Sequence, residues 1–138
     1  DMLFVAIIPD YEVSTKKARE VLPNNMSYKE AVYQMGRCTA LAKAIEIGNG
    51  LIIKKACKDQ MQEPYRKALI PDYDTVYKLC EQNEMYTMYI SGSGSTMMAL
   101  TQDMNNAESL AAAIHHSYPT WKVQILQSTY DGVHTEVE

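Results

Sequence analysis

Six residues, Ser91-Gly92-Ser93-Gly94-Ser95-Thr96, carry the clearest chemical signal of the sequence. Two glycines and four hydroxyl side chains lie between two apolar stretches, Tyr86 to Ile90 and Thr96 to Leu100. Glycine permits positive φ, so main-chain N–H groups of such a loop can turn into one concavity. A concavity of this kind suits phosphate or carboxylate oxygens. A strand follows the loop, whereas a P-loop or a dinucleotide fingerprint passes from strand to helix; neither GxxxxGK[ST] nor GxGxxG occurs. A flexible Ser/Gly hairpin with no ligand is the plainer reading of the loop by itself.

Other reactive residue types give less. Cys38, Cys57 and Cys80 are odd in number, widely spaced and without nearby histidine, so zinc is not expected. Each falls in a helix-like segment and is read as a reduced, buried, cytosolic thiol. His115, His116 and His134 lack ligand spacing and are read as surface residues. Lys16-Lys17 and Lys54-Lys55 are read as solvated helix faces, and the methionines and tyrosines mostly as core and rim. No catalytic base and no metal-ligand set are evident.

The elements that must position the loop follow from periodicity. Leu3 to Ile8 is a continuous apolar run ended by Pro9, as in a buried strand. A short helix is expected over Ser14 to Val21, stopped by Leu22-Pro23. Ser27-Tyr28-Lys29-Glu30 is a capping box, and a helix follows to about Ile47, ended by Gly48 and Gly50. Its expected apolar stripe is Ala31, Met35, Cys38, Ala42 and Ile45. A second helix is expected from Leu51 to Glu63, stopped by Pro64. A third starts after Pro71 with Asp72 as cap, and Tyr73, Val76, Tyr77 and Cys80 on one face. A helix over Ala107 to Ser117, a strand over Trp121 to Leu126 and a further strand over Val133 to Val137 complete the order.

This order, β, several helices, β, β, α, β, predicts an α+β fold of ferredoxin-like (split βαβ) type. Its sheet is mainly antiparallel and covered by helices on one face. The 138 residues fit one domain, residues 1–138, and 46% hydrophobic with 22% charged residues is ordinary for a soluble globular chain. A net charge of -4 argues against a nucleic-acid partner. No apolar run approaches the roughly 18 residues of a membrane span, and no signal peptide is visible. The chain opens Asp1-Met2-Leu3-Phe4, already inside a strand pattern, which points to a piece of a longer chain.

Four motifs together resemble the C-terminal domain of the homoserine kinases, within the family shared by galactokinase, mevalonate kinase and phosphomevalonate kinase (GHMP). Val5-Ala6-Ile7-Ile8-Pro9-Asp10, Val13-Ser14-Thr15, Ala18-Arg19 and Val21-Leu22-Pro23 resemble the strand–PD–xxSTxxAR–xLP segment. Gly36-Arg37 resembles the family's helix arginine. Asp59, Glu63-Pro64-Tyr65-Arg66 and Leu69-Ile70-Pro71 resemble the D–x–(Q/E)PYR–xxLIP stretch, a homoserine kinase trait. Ser91 to Thr96 resembles the third glycine motif, usually SGSGPT or SGAGPS, with Ser95 at the usual proline and Gln62 where many relatives have histidine. The resemblance covers nearly the whole chain.

It implies a kinase that uses ATP and Mg2+ to phosphorylate the hydroxyl of L-homoserine, giving O-phospho-L-homoserine on the route to threonine. It also implies a cytoplasmic, commonly dimeric enzyme whose ATP loop and metal ligands lie in an N-terminal domain absent from this sequence. Homoserine carries an α-carboxylate, which a guanidinium matches bidentately. Arg37 and Arg66 are thereby candidates for that carboxylate. The alternatives are a structural ion pair for Arg37, whose helical neighbours Tyr33, Ala40, Leu41 and Ala44 are semi-apolar, and a surface role for Arg66. Ser91 to Thr96 would face the substrate or the transferred phosphoryl group. The rival reading of the chain is a non-catalytic small-molecule-binding or oligomerisation domain of the same fold.

Overall fold

The computed structural model describes residues 1–129, 131, 132 and 135. Four strands form one sheet: β1 (Leu3–Ile8), β2 (Thr87–Ile90), β3 (Met97–Thr101) and β4 (Lys122–Gln127). The spatial order is β2-β3-β1-β4, and every neighbouring pair is antiparallel. The central strand β1 pairs Val5 with Ala99 on one side and with Ile125 on the other. This is the split βαβ arrangement that the element order predicts. The strand expected over Val133 to Val137, and His134 with it, fall on positions of which most lie outside the described residues.

Six α-helices connect the strands: α1 (Thr15–Glu20), α2 (Tyr28–Glu46), α3 (Gly50–Ala56), α4 (Glu63–Arg66), α5 (Tyr73–Gln82) and α6 (Met104–Ser117). Side chains alternate across a strand, so the two faces of the sheet can be told apart by parity. Leu3, Val5, Ile7, Met97 and Ala99 bury one face against α5 and α6, through Val76, Cys80, Leu110 and Ile114. This is the helix layer the sequence predicts. On the opposite face, Met2, Phe4, Leu100 and Tyr89 meet Leu41 and Ala44 of α2 and Ile53 of α3 in a smaller cluster.

Local chemistry accounts for most element ends. Ser27 Oγ accepts from the Glu30 N–H at 3.2 Å and the Glu30 carboxylate accepts from the Ser27 N–H at 2.8 Å, the reciprocal capping box. Gly48, at φ +66°, closes α2. Gly50 does not end that helix but opens α3; a Cβ there would lie 2.4 Å from the Tyr86 ring, so glycine lets α3 approach the start of β2. α6 starts three residues earlier than expected because Asp103 accepts from the N–H groups of Asn105 and Asn106.

The helix expected over Leu51 to Glu63 is broken. α3 stops at Ala56, and the Asp59 carboxylate captures the N–H groups of Met61, Gln62 and Glu63 at 2.7, 3.1 and 2.8 Å. α4 then begins at Glu63 with Pro64 in its first turn, so Pro64 starts a helix where the sequence reading had it stop one. The stripe of α2 also differs. Ala31, Gln34, Arg37, Leu41 and Ala44 turn inward, while Met35, Cys38, Ala42 and Ile45 are exposed. Cys38 is therefore an exposed thiol; Cys57 is half-buried, Cys80 buried, and all three are free. Asp72 caps nothing with its side chain; its carboxylate accepts from the Tyr118 and Tyr11 hydroxyls at 3.2 and 3.5 Å.

Candidate functional site

The glycine loop joins β2 to β3 at the edge of the sheet. Its turn is closed by two backbone bonds, Ser91 N–H to the Thr96 carbonyl at 2.9 Å and Gly94 N–H to the Ser91 carbonyl at 3.0 Å. Gly92 and Gly94 have φ of +60° and +84°, so both use the region that side chains disfavour. Among the described residues no acceptor meets the N–H groups of Gly92, Ser93 and Ser95. Those donors are free for an anionic oxygen. Ser95 is buried and its hydroxyl donates to the Tyr11 carbonyl, a bond that the family's usual proline could not make. Ser93 Oγ lies 3.4 Å from Thr15 Oγ1.

The loop stands between two cavities. One, of about 320 Å³, is walled by Arg37, Cys57, Asp59, Glu63, Arg66 and Gly92, with further residues of α2 and β2. The other, of about 520 Å³, takes Ser93, Gly94, Ser95 and Thr96 with Asp10 to Val13 and Lys122. Arg66 thus meets the loop at Gly92, Arg37 lines the same cavity, and the rest of the loop turns to the second cavity. Ser91 serves the turn itself.

Arg66 ends α4 and is half-buried. Its Nε donates to the Ala18 carbonyl at 2.9 Å, and its Nη1 donates to the Gly92 carbonyl at 2.9 Å and to Gln62 Oε1. It is not a free surface arginine. Arg37 sits on the inward stripe of α2. Its Nη1 donates to the Lys55 carbonyl at the end of α3, its guanidinium lies 4.3 Å from the Tyr33 ring centre, and its buried Nε has no partner. A structural ion pair for Arg37 is not formed. Among the described residues the ion pairs are Lys16–Glu20, Lys43–Glu46 and Lys67–Asp74, and neither arginine has a carboxylate within salt-bridge distance.

Both cavity carboxylates are already occupied. Asp59 accepts the three N–H groups described above. Glu63 accepts from the Tyr73 hydroxyl of α5. Burial raises the Glu63 carboxyl above its ordinary value, against the Tyr73 hydrogen bond, which lowers it. Burial and the neighbouring Glu63 likewise raise Tyr73. Burial also raises the Cys57 thiol, with the charges of Glu63 and Asp59 adding to it. Asp59, Glu63 and Lys58 line the same cavity as the two arginines, but among the described residues neither guanidinium is in salt-bridge contact with a carboxylate.

Sequence reasoning passed over Gln34 and Glu63 as site residues. Gln34 lies three residues before Arg37 on the same face of α2 and accepts from the Gln60 N–H at 3.0 Å, so it fixes the loop after α3. The i, i+3 spacing to Arg37 could have found it. Glu63 lies within the quoted EPYR segment, but its buried partner Tyr73 could not be read from spacing. Among the described residues no group of three or more His, Cys, Asp and Glu side chains could hold a metal. His115 and His116 are exposed on α6. Among those residues, too, no helix is long and apolar enough to cross a membrane.

Comparison with known proteins places this geometry. The chain is 40% identical over 116 residues to a homoserine kinase of Microchaete diplosiphon, covering 84% of this chain and 38% of that protein. It is 35% identical over 133 residues to a homoserine kinase of Clostridium botulinum (strain Alaska E43 / Type E3), covering 94% and 44%. The chain thus spans about two fifths of the length of the curated relatives it matches. The crystal structure of homoserine kinase from Cytophaga hutchinsonii superposes with a TM-score of 0.83 at 28% identity, over 93% of this chain and 41% of that one. The L. major mevalonate kinase, solved in complex with R-mevalonate, shares the fold at a TM-score of 0.70 and 10% identity, over 92% and 43%. The family model described as GHMP kinases C terminal matches residues 31–120, well over half of the sequence, and the chain belongs to that family.

Proposed function

We propose that this chain is the substrate-reading C-terminal domain of an ATP-dependent homoserine kinase. The whole protein would transfer the γ-phosphoryl group of ATP to the side-chain hydroxyl of L-homoserine, giving O-phospho-L-homoserine in the cytoplasm. The observation that carries the reading is the cavity shared by Arg37, Arg66 and Gly92, in which neither guanidinium is in salt-bridge contact with a carboxylate among the described residues. An α-carboxylate would provide the direct partner that the guanidinium groups lack, and a guanidinium is the side chain whose planar fork fits it. The relatives at 35–40% identity are homoserine kinases.

Phosphoryl transfer needs positioning and charge stabilisation more than covalent participation, so this reading requires no general base from the domain. In this reading the arginines fix the amino-acid end of the substrate, and the uncommitted N–H groups of the glycine loop face developing charge. Mg2+ would neutralise phosphate charge; no metal-ligand group occurs among the described residues, and in this reading its ligands and the ATP loop would belong to an N-terminal domain of the whole protein.

The test is turnover of the full-length protein on L-homoserine against mevalonate, followed by the two arginine variants. Arg37→Ala and Arg66→Ala are each expected to lower kcat/KM for homoserine roughly 10- to 150-fold, the worth of a hydrogen bond to a charged group, with the KM for ATP nearly unchanged. The domain alone is expected to show no turnover. A full-length protein that phosphorylates mevalonate but not homoserine would replace the substrate assignment; one with no phosphoryl transfer to either would favour a binding module.

A further inference from the structure

An arginine has five N–H donors, and three of those on Arg66 are already spent inside the protein. Nε holds the Ala18 carbonyl of α1, whose own side chain is fully buried. Nη1 holds Gln62 of α4 and the Gly92 carbonyl of the glycine loop. Only Nη2 is left to offer two donors to a ligand. The Gly92 peptide has little else to hold it. A Cβ at Gly92 would meet nothing within 4 Å, and no acceptor meets its N–H among the described residues. The far flank of the loop is fastened separately, by Ser95 to the Tyr11 carbonyl and by Ser93 near Thr15.

We propose that Arg66 is a positioning residue for the glycine loop: its guanidinium ties Gly92 to α1 and α4 and so sets where the free N–H groups of the loop stand. The consequence for turnover rests on the kinase reading above; the tie itself does not. Arg37 differs in kind. Its contacts are the Lys55 carbonyl and the Tyr33 ring, neither of them part of the loop. Loss of Arg37 should weaken substrate binding alone, whereas loss of Arg66 should also lower kcat by misplacing the loop. A bidentate grip on a carboxylate by Arg66 through two of its nitrogens would require it to release Ala18, Gln62 or Gly92, so the two-donor reading of the substrate falls mainly to Arg37.

Hydrogen exchange of the Ser91 and Gly94 amides, the loop N–H groups bonded within the turn, measured in the full-length protein beside steady-state kinetics, tests this. Arg66→Lys keeps the charge but cannot reproduce the three-way fork, and is expected to speed exchange of the loop roughly 10- to 150-fold. It should lower kcat as well as raise the KM for homoserine. Gln62→Ala, which removes one of the groups that orient Arg66, should move both readouts the same way by less. Arg37→Ala should raise KM and leave loop exchange as in the wild type. Wild-type loop exchange in Arg66→Lys, with only KM raised, would overturn the proposal. So would protection lost evenly across the protein, which would make Arg66 a general stabilising contact. Should the protein not phosphorylate homoserine, the kinase reading falls and the exchange result still decides the tie.

Discussion

The helices α6 and α2 lie on opposite faces of one sheet and treat their apolar residues differently. In its 14 residues α6 buries Ala107, Leu110 and Ile114 completely. In its 19 residues α2 buries only Ala44, while Tyr28 and Met35 are 87% and 69% exposed. The α6 face carries the core of the fold. The α2 face carries Arg37, the cavity and a set of apolar side chains with no cover among the described residues. Stability and site are thus divided between the two faces, and variants should separate them.

The largest contrast is in the core. Ile114→Ala on α6 is expected to cost about 2–5 kcal/mol, because the fully buried side chain leaves a cavity. Met35→Ala on α2 should stay within about 0.5 kcal/mol, as for other exposed positions. Urea denaturation measures both. A Met35→Ala cost near that of Ile114→Ala would break the comparison, because it would mean that the outer face of α2 is packed.

The glycine loop gives the next step down. At Gly94 a Cβ would stand 2.9 Å from Ile70 Cδ1, within the buried wall of the main core, and φ is +84°. Gly94→Val therefore combines backbone strain of about 1–3 kcal/mol with a clash. Gly92→Ala meets open space and bears only the strain of φ +60°, about 1–2 kcal/mol. Thermal unfolding should rank Gly94→Val below Gly92→Ala. Equal melting temperatures would show that the loop yields without pressing on Ile70.

What the sequence discloses follows the range of the interactions. The capping box at Ser27 and Glu30 was legible because both bonds span three residues. The fold class was legible because the order of strands and helices leaves few ways to close an antiparallel sheet. The inward stripe of α2 was not legible. That helix has more apolar residues than its own chain buries, and periodicity cannot say which stripe is covered from within. The break after Ala56 was missed because one side chain, Asp59, takes three N–H groups that a longer helix would have used. The candidate residues could be named from motifs, but their contacts could not. Arg66 reaches carbonyls 48 and 26 residues away, and Arg37 one 18 residues away; backbone acceptors leave no mark in the sequence.

The smallest expected effect lies at Glu63, where α4 on the site side touches Tyr73 of α5 on the core side. Burial raises the Glu63 carboxyl above its ordinary 4.5, and the Asp59 charge adds to that, while Tyr73 and Lys67 pull it down. The folded chain therefore holds the Glu63 proton more tightly than the unfolded chain. The stability this contributes is fully present below 4.5 and is lost as pH rises through the folded value. At neutral pH the ionised carboxylate is the form that burial penalises. Glu63→Gln keeps a carbonyl to accept from the Tyr73 hydroxyl and carries no charge. The variant should unfold at an equal or slightly higher urea concentration than the wild type at pH 7, and the difference should shrink as pH falls toward 4.5. A variant less stable than the wild type at pH 7 would mean that the charged hydrogen bond to Tyr73 outweighs the burial of Glu63, and that the two faces are held together by an ionised contact.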